Sequence, residues 1–219
     1  AHNHHMLTYG AMMTGQSALA LKTIRAMVAD IPLEFFEANP FADGFMAMPL
    51  EVMMRFGRWD EILAEPAFPG FVPISRALQH YARAVAHAAK DDVPSALKEQ
   101  AAFLDARARV PKEAFFGNNT GSDVLDVAES FMRGEILFRT GKIEEGLASL
   151  REAAALDLAG YLSRIARGRP HVILKLAVSA DGMIGRRGGE RMIITSPPAL
   201  TAVQAMRAEM DAVAVGIEH

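Results

Sequence analysis

Apolar positions change their spacing along this chain, and the change divides it into two parts. Up to about residue 157, apolar and small residues recur every three or four positions between short turns, which predicts helices. From Leu158 onward the run "RPHVILKLAVSADG" alternates apolar and polar positions and ends in Asp181-Gly182, as a strand followed by a turn does. The pattern therefore predicts a helical domain over 1–156 and an α/β unit over 157–219.

Within the helical part, pairs of helices around a short turn recur four times. The equivalent turn residues are Gly15, Gly57, Asp91 and Gly141, which lie 42, 34 and 50 residues apart. The clearest copy is "AESFMRGEILFRTGKIEEGLASLREAAAL", in which small residues fall where two helices would touch. Because two spacings exceed 34 residues, we expect loop insertions at "AEPAFPGFVP" and "PKEAFFGNNTGSD".

This repeating pattern resembles that of the tetratricopeptide-repeat family, whose 34-residue unit is a pair of antiparallel helices. The likeness covers about residues 1–155. It implies an α-solenoid with a concave face that binds an unknown protein or peptide. Since no capping segment precedes the first helix, we expect the repeat domain to be incomplete at its N-terminus.

The last third predicts a β–loop–α–β unit. Ser196-Pro197-Pro198 is typical of a helix start, because the hydroxyl can cap the helix and proline has a suitable φ. The amphipathic stretch "ALTAVQAMRAEM" follows, and then the apolar run "DAVAVGI", which predicts a buried strand. Such units build parallel sheets covered by helices.

The sequence pattern "RPHVILKLAVSADGMIG…GE…ITSP…MRAEMDAVAVGI" resembles the N-terminal part of the C-terminal reductase domain in bifunctional riboflavin-biosynthesis deaminase/reductases. The likeness runs from about Leu158 to residue 219. It implies a dihydrofolate-reductase-like fold and NADPH-dependent reduction of the ribosyl group of a pyrimidine ribosylamine phosphate. It also implies that most of the domain is missing, so we expect a truncated unit whose sheet a second chain would complete.

The resemblance assigns roles to six residues. Substrate contacts fall on Lys175, Arg191 and Arg207, of which Arg207 corresponds to an arginine that holds the substrate phosphate. Cofactor contacts fall on Ala177, Ile193 and Thr195. The family usually has serine at the position of Arg191 and tryptophan at that of Ile193. The residues by themselves favour plainer interpretations, since Lys175 could face solvent from a strand and Arg207 could be a helix-surface charge.

Composition limits the function classes further. The net charge is −3, and it divides into −6 over 1–157 and +3 over 158–219. There is no cysteine, which excludes disulfides and cysteine-ligated zinc and favours a reducing, cytoplasmic location. "HNHH" at residues 2–5 places His2 and His5 one helical turn apart, but we interpret these side chains as solvent-exposed and predict no metal site.

We expect a protein-interaction scaffold that carries a partial reductase domain and is not catalytic alone. We expect neither nucleic-acid nor membrane binding. The alternative hypothesis is a 5-amino-6-(5-phosphoribosylamino)uracil reductase that becomes active when another chain completes it.

Overall fold

The computed structural model describes residues 2–117 and 119–157, which are mainly helical. The helices are α1 (His2–Met13), α2 (Ser17–Ala29), α3 (Leu33–Ala38), a 3₁₀ segment (Pro40–Ala47), α4 (Met48–Arg55), α5 (Trp59–Ala64), α6 (Pro73–Ala89), α7 (Val93–Arg107), α8 (Gly121–Arg139) and α9 (Ile143–Asp157). Two short antiparallel strands, β1 (Phe115–Phe116) and β2 (Asn119–Thr120), lie between α7 and α8.

The four predicted turn residues all adopt the left-handed conformation. Their φ angles are 75° at Gly15, 65° at Gly57, 60° at Asp91 and 83° at Gly141. At each turn the same two backbone bonds close the preceding helix; in the last, the Gly141 N–H donates to Phe138 O and the Lys142 N–H to Leu137 O. This is the hydrogen-bond pattern of a Schellman motif, which satisfies carbonyl groups at a helix end.

These turns produce four helix pairs: α1–α2, α4–α5, α6–α7 and α8–α9. Successive pairs pack on one another through α2 against α4, α5 against α6 and α7 against α8. The first helices of neighbouring pairs also touch, α4 against α6 and α6 against α8. One apolar core therefore runs through all four pairs.

Small residues allow the close helix contacts that the sequence indicates. Ala84, Ala88 and Ala96 of the α6–α7 pair are fully buried. In the α8–α9 pair, a Cβ atom added at Gly146 would lie 2.7 Å from the backbone nitrogen of Phe138. The two backbones can approach this closely only because glycine has no side chain at the crossing.

The insertions that lengthen the spacing between turn residues beyond 34 occur only partly where we predicted them. "AEPAFPGFVP" does contain the loop between α5 and α6, but it does not explain the long interval between Gly15 and Gly57. That interval instead contains α3 and the 3₁₀ segment, each of which begins beside a proline. Proline favours a helix start because its φ is already suitable and its missing N–H needs no partner there.

The second predicted insertion, "PKEAFFGNNTGSD", contains the β1–β2 hairpin instead of an irregular loop. Phe116 packs against Phe45 with ring centroids 5.2 Å apart and nearly perpendicular planes. Its ring also lies directly over Gly44, where a Cβ atom would have no room. The hairpin is thus held by contacts with the 3₁₀ segment, which lies far away in the sequence.

A buried carboxylate from the same 3₁₀ segment caps α6. Asp43 accepts hydrogen bonds from the backbone N–H groups of Ile74 (2.7 Å) and Ser75 (2.8 Å). The Ser75 hydroxyl donates in turn to the Asp43 carbonyl oxygen at 2.6 Å. Since Val72 at the N-cap has no side-chain acceptor, Asp43 supplies the cap from 31 residues away.

Among the described residues, no helix is long and apolar enough to span a bilayer. The domain boundary that we place after residue 156 stays a prediction.

Candidate functional site

The six residues that the reductase resemblance singles out lie outside the described part of the chain. These are Lys175, Arg191, Arg207, Ala177, Ile193 and Thr195. Their roles therefore stay predictions, and the described residues offer a different candidate surface.

That surface is formed by the first helices of the last three pairs, and we call it the three-helix face: Glu51 on α4, Tyr81 on α6, and Phe131 and Glu135 on α8. The helix-pair register places these residues together. Glu51 and Glu135 each lie six residues before the left-handed turn residue of their pair, and Tyr81 and Phe131 each lie ten residues before it. Thus α4 contributes an acidic side chain, α6 an aromatic one, and α8 one of each.

The aromatic residues of this face contact each other. The rings of Tyr81 and Phe131 lie 6.1 Å apart between centroids, at 85° to one another. Edge-to-face pairs of this kind are favourable beyond the area that they bury. Burial, followed by the negative charges of Glu51 and Glu135, raises the pKa of the Tyr81 phenol, so this group stays a neutral hydrogen-bond donor.

The two carboxylates of the face differ in their surroundings. Glu135 has Arg139 on the next helical turn, with 3.8 Å between Oε2 and Nε. Glu51 forms no ion pair with any described residue. Desolvation by burial raises the pKa of the Glu51 carboxyl to about 7, although the residue keeps an exposed surface. A positive charge beside Glu51 would therefore favour its ionised form.

We expect Glu51→Gln to stabilise the protein at pH 8 by about 0.5–1 kcal/mol, a value reduced because solvent reaches the side chain. The folded state holds the Glu51 proton up to about pH 7, whereas the unfolded state loses it near pH 4.5. Stability therefore falls as the pH rises through this window, and glutamine removes that loss. Urea unfolding at pH 5 and pH 8 should show the larger gain at pH 8. Glu37→Gln on α3 is the matched control, and an equal gain in both variants would contradict the prediction.

Charged pairs link α6 to α7, and none of the residues in them belongs to the three-helix face. His80 Nδ1 lies 2.6 Å from Glu99 Oε2, and Arg83 Nη1 lies 3.8 Å from Glu99 Oε1. Burial raises the pKa of Glu99, but the His80 hydrogen bond and the positive charges of His80 and Arg83 outweigh it, so the pKa is lowered. Glu99 thus stays ionised and holds α7 against α6 at neutral pH.

No group of three or more potential metal ligands occurs within residues 2–117 and 119–157. The chemistry available on the three-helix face is recognition by aromatic contact, a phenol donor and negative charge.

The sequence pattern alone did not lead us to the three-helix face. Its members lie on three helices and span 84 residues of sequence, from Glu51 to Glu135, and none belongs to a recognisable short motif. The signal that could have found them is their shared distance from the turn residues, since equal distances place side chains on equivalent sides of successive helices.

Comparison with known proteins bears on the last part of the chain. Residues 170–219 match the family model described as "RibD C-terminal domain". A stretch of 70 residues is 41% identical to the riboflavin biosynthesis protein RibD of Haemophilus influenzae, covering 32% of this chain and 19% of that protein. The RibD of Escherichia coli is 43% identical over 54 residues, covering 25% of this chain and 15% of the relative.

This chain therefore spans less than a fifth of the length of the curated relatives that it matches. No solved structure matches it significantly. The matched region lies outside the described residues, and it relates the end of the chain to a riboflavin-pathway reductase domain.

Proposed function

We propose that this protein is a helical-repeat interaction scaffold that carries a partial NADPH-dependent riboflavin-pathway reductase domain. The observation that supports the reductase part of this proposal is the match of residues 170–219 to the RibD C-terminal domain. Because the chain covers only 19% of the Haemophilus influenzae relative, these 219 residues do not catalyse the reaction alone. The working compartment is the cytoplasm.

In this proposal the matched region begins a dihydrofolate-reductase-like unit. Lys175, Arg191 and Arg207 contact the substrate, and the guanidinium of Arg207 pairs with its phosphate. Ala177, Ile193 and Thr195 contact NADPH, with the small Ala177 leaving room for the nicotinamide. These roles rest on the resemblance alone.

The enzymatic half is tested by following NADPH absorbance with the full chain and 5-amino-6-(5-phosphoribosylamino)uracil. We expect no oxidation above background. Saturable oxidation that requires the pyrimidine substrate and is lost in Arg207→Ala would overturn the claim that the chain is inactive alone. Limited proteolysis with and without NADPH adds a readout independent of turnover. Protection of residues 170–219 by NADPH is expected if this region binds the cofactor.

The alternative is a reductase that becomes active when a second chain completes its sheet. The observation that favours it is again the partial match, because the chain covers only 19% of the length of the Haemophilus influenzae RibD protein. Adding a fragment of the Escherichia coli protein that follows the matched stretch distinguishes the two. Substrate-dependent NADPH oxidation by the mixture, absent from either component, would establish the alternative.

For the helical half, we propose a tetratricopeptide-like α-solenoid whose three-helix face binds a segment of another protein. Two features support this: the same left-handed turn closes all four pairs, and first helices of neighbouring pairs pack side by side. Tyr81 and Phe131 would hold an apolar side chain of the partner, with Glu51 and Glu135 favouring a nearby lysine or arginine.

Fluorescence anisotropy with labelled decapeptide pools tests the scaffold. One pool has a central Leu-Lys pair and the other a central Leu-Glu pair. We expect saturable binding of the lysine pool, weakened at least about tenfold by Tyr81→Ala. Phe35→Ala is the control, since Phe35 is an exposed aromatic residue on α3, outside the face. Equal binding of both pools, or equal weakening by both variants, would count against the proposal.

A further inference from the structure

We propose that the cleft between the start of α6 and the end of α7 binds the phosphate group of a small molecule. The cleft lies in the third helix pair. Arg76 and His80 enter it from α6, Asp105 enters it from α7, and Arg109 follows α7. None of these residues belongs to the three-helix face, so the proposal does not depend on the scaffold function.

The cleft is open to solvent on one side and has room for a small ligand. Its volume is about 430 Å³, within the roughly 300–1,000 Å³ typical of small-molecule pockets. Ala102 and Ala106 line it along one side of α7, and their short side chains leave the space open. Gly70 lies beside Arg76, and a Cβ atom placed there would be 3.9 Å from Arg76 Nη1.

Two guanidinium groups line this cleft without an ion-pair partner among the described residues. Arg76 and Arg109 are both exposed, and neither forms an ion pair within residues 2–117 and 119–157. Their sequence neighbours behave differently, since Arg107 contacts both Asp126 and Glu129, and Arg83 contacts Glu99. Asp126, Glu129 and Glu99 are thus paired with other arginines, and Asp105, which lines the cleft, forms an ion pair with neither Arg76 nor Arg109. Two positive groups that line one cleft repel each other, and a bound oxyanion reduces that repulsion.

A third nitrogen group supports phosphate over carboxylate. His80 lines the cleft, and its Nδ1 atom is already engaged by Glu99 at 2.6 Å. Its Nε2 atom has no hydrogen-bond partner in the part of the chain that the structure describes. Because Nδ1–H donates to Glu99, Nε2 can donate to a ligand only when the imidazole is protonated, a form that a bound dianion favours. Two guanidiniums and a protonated imidazole then match the three terminal oxygens of a phosphate monoester better than the two oxygens of a carboxylate.

Asp105 restricts the rest of the ligand. Its carboxylate lines the same cleft without an ion-pair partner among the described residues, so it disfavours polyanions. A hydroxyl or amino group next to the phosphate would give this carboxylate a donor. The cleft therefore favours a phosphate monoester with a neighbouring donor group over pyrophosphate.

Isothermal titration of the full chain, at constant ionic strength, tests the proposal with inorganic phosphate, O-phosphoethanolamine, pyrophosphate and acetate. We expect saturable binding of O-phosphoethanolamine with Kd below ~5 mM, weaker binding of inorganic phosphate, and weaker still of pyrophosphate and acetate. Arg76→Gln and Arg109→Gln should each weaken O-phosphoethanolamine binding about tenfold. Asp105→Asn should remove its advantage over inorganic phosphate.

Arg55→Gln is the matched control, because Arg55 is an exposed arginine on α4, away from the cleft. It should leave binding unchanged. Since neither cleft arginine holds a structural ion pair with a described residue, their variants should keep the parent circular dichroism and melting temperature. Equal weakening by Arg55→Gln, or no saturable binding of any probe up to ~20 mM, would overturn the proposal.

Discussion

Replacing Gly146 by alanine is expected to lower the free energy of unfolding by about 2–3 kcal/mol. Gly146 lies in the first turn of α9, where this helix crosses α8. An alanine Cβ would lie 2.7 Å from the Phe138 nitrogen, 3.0 Å from the Phe138 Cα and 3.0 Å from the Gly134 oxygen. All three are backbone atoms of a packed helix, so no rotamer change relieves the overlap, and the two helices have to separate.

Gly10→Ala is the matched control for this effect. Gly10 also lies inside a helix, but no atom lies within 4 Å of the position that its Cβ would take. Alanine there should be neutral or stabilising by about 0.5–1 kcal/mol, because it restricts the unfolded chain more than glycine does. Urea denaturation of both variants measures the difference. A loss of the same size in both would mean that the helix crossing is not the cause.

Replacing Asp43 by alanine should destabilise the protein by about 3 kcal/mol, because two buried donors lose their acceptor. The Asp43 side chain is 2% exposed and accepts from the Ile74 and Ser75 N–H groups at the start of α6. Pro73 has no N–H and Val72 offers no side-chain oxygen, so nothing local can replace this cap.

Ser75→Ala separates the cap from the accompanying hydroxyl bond. It removes the hydrogen bond from Ser75 Oγ to the Asp43 carbonyl and leaves both backbone N–H contacts of the carboxylate in place. We expect a loss of about 1 kcal/mol, clearly smaller than that of Asp43→Ala. Denaturant midpoints of the two variants give the comparison. Equal losses would show that the carboxylate contributes nothing as a cap.

The local turn chemistry was readable from the sequence, and the long-range contacts were not. Gly15, Gly57, Asp91 and Gly141 stand out because few residues tolerate a left-handed turn, and all four have that conformation. The β1–β2 hairpin escaped prediction since strands of two residues carry no periodicity, and the docking of Phe116 holds them. The Asp43 cap was not predicted either, because the carboxylate lies 31 residues before the helix that it caps and belongs to no local capping motif.

The candidate site was less predictable than the fold. An aromatic residue such as Tyr81 at helical spacing predicts core packing as readily as a binding surface. Its position near Glu51 and Glu135 depends on how α4, α6 and α8 pack together. This packing cannot be deduced from the sequence of any one of the three helices. The reductase residues, in contrast, were identified by resemblance, and the family match at 170–219 supports the relation without testing their individual roles.

The contact of Phe116 with Phe45 has a consequence for how the helical part unfolds. In an array of repeats that touch only their neighbours, unfolding can start at an end and proceed one unit at a time. Here the segment before α8 contacts the segment before α4, so the two intervening pairs, α4–α5 and α6–α7, are enclosed in a closed loop of contacts. These two pairs should therefore open as one cooperative block, whereas α1 and α2, outside the loop, should exchange their amide protons through smaller, independent openings.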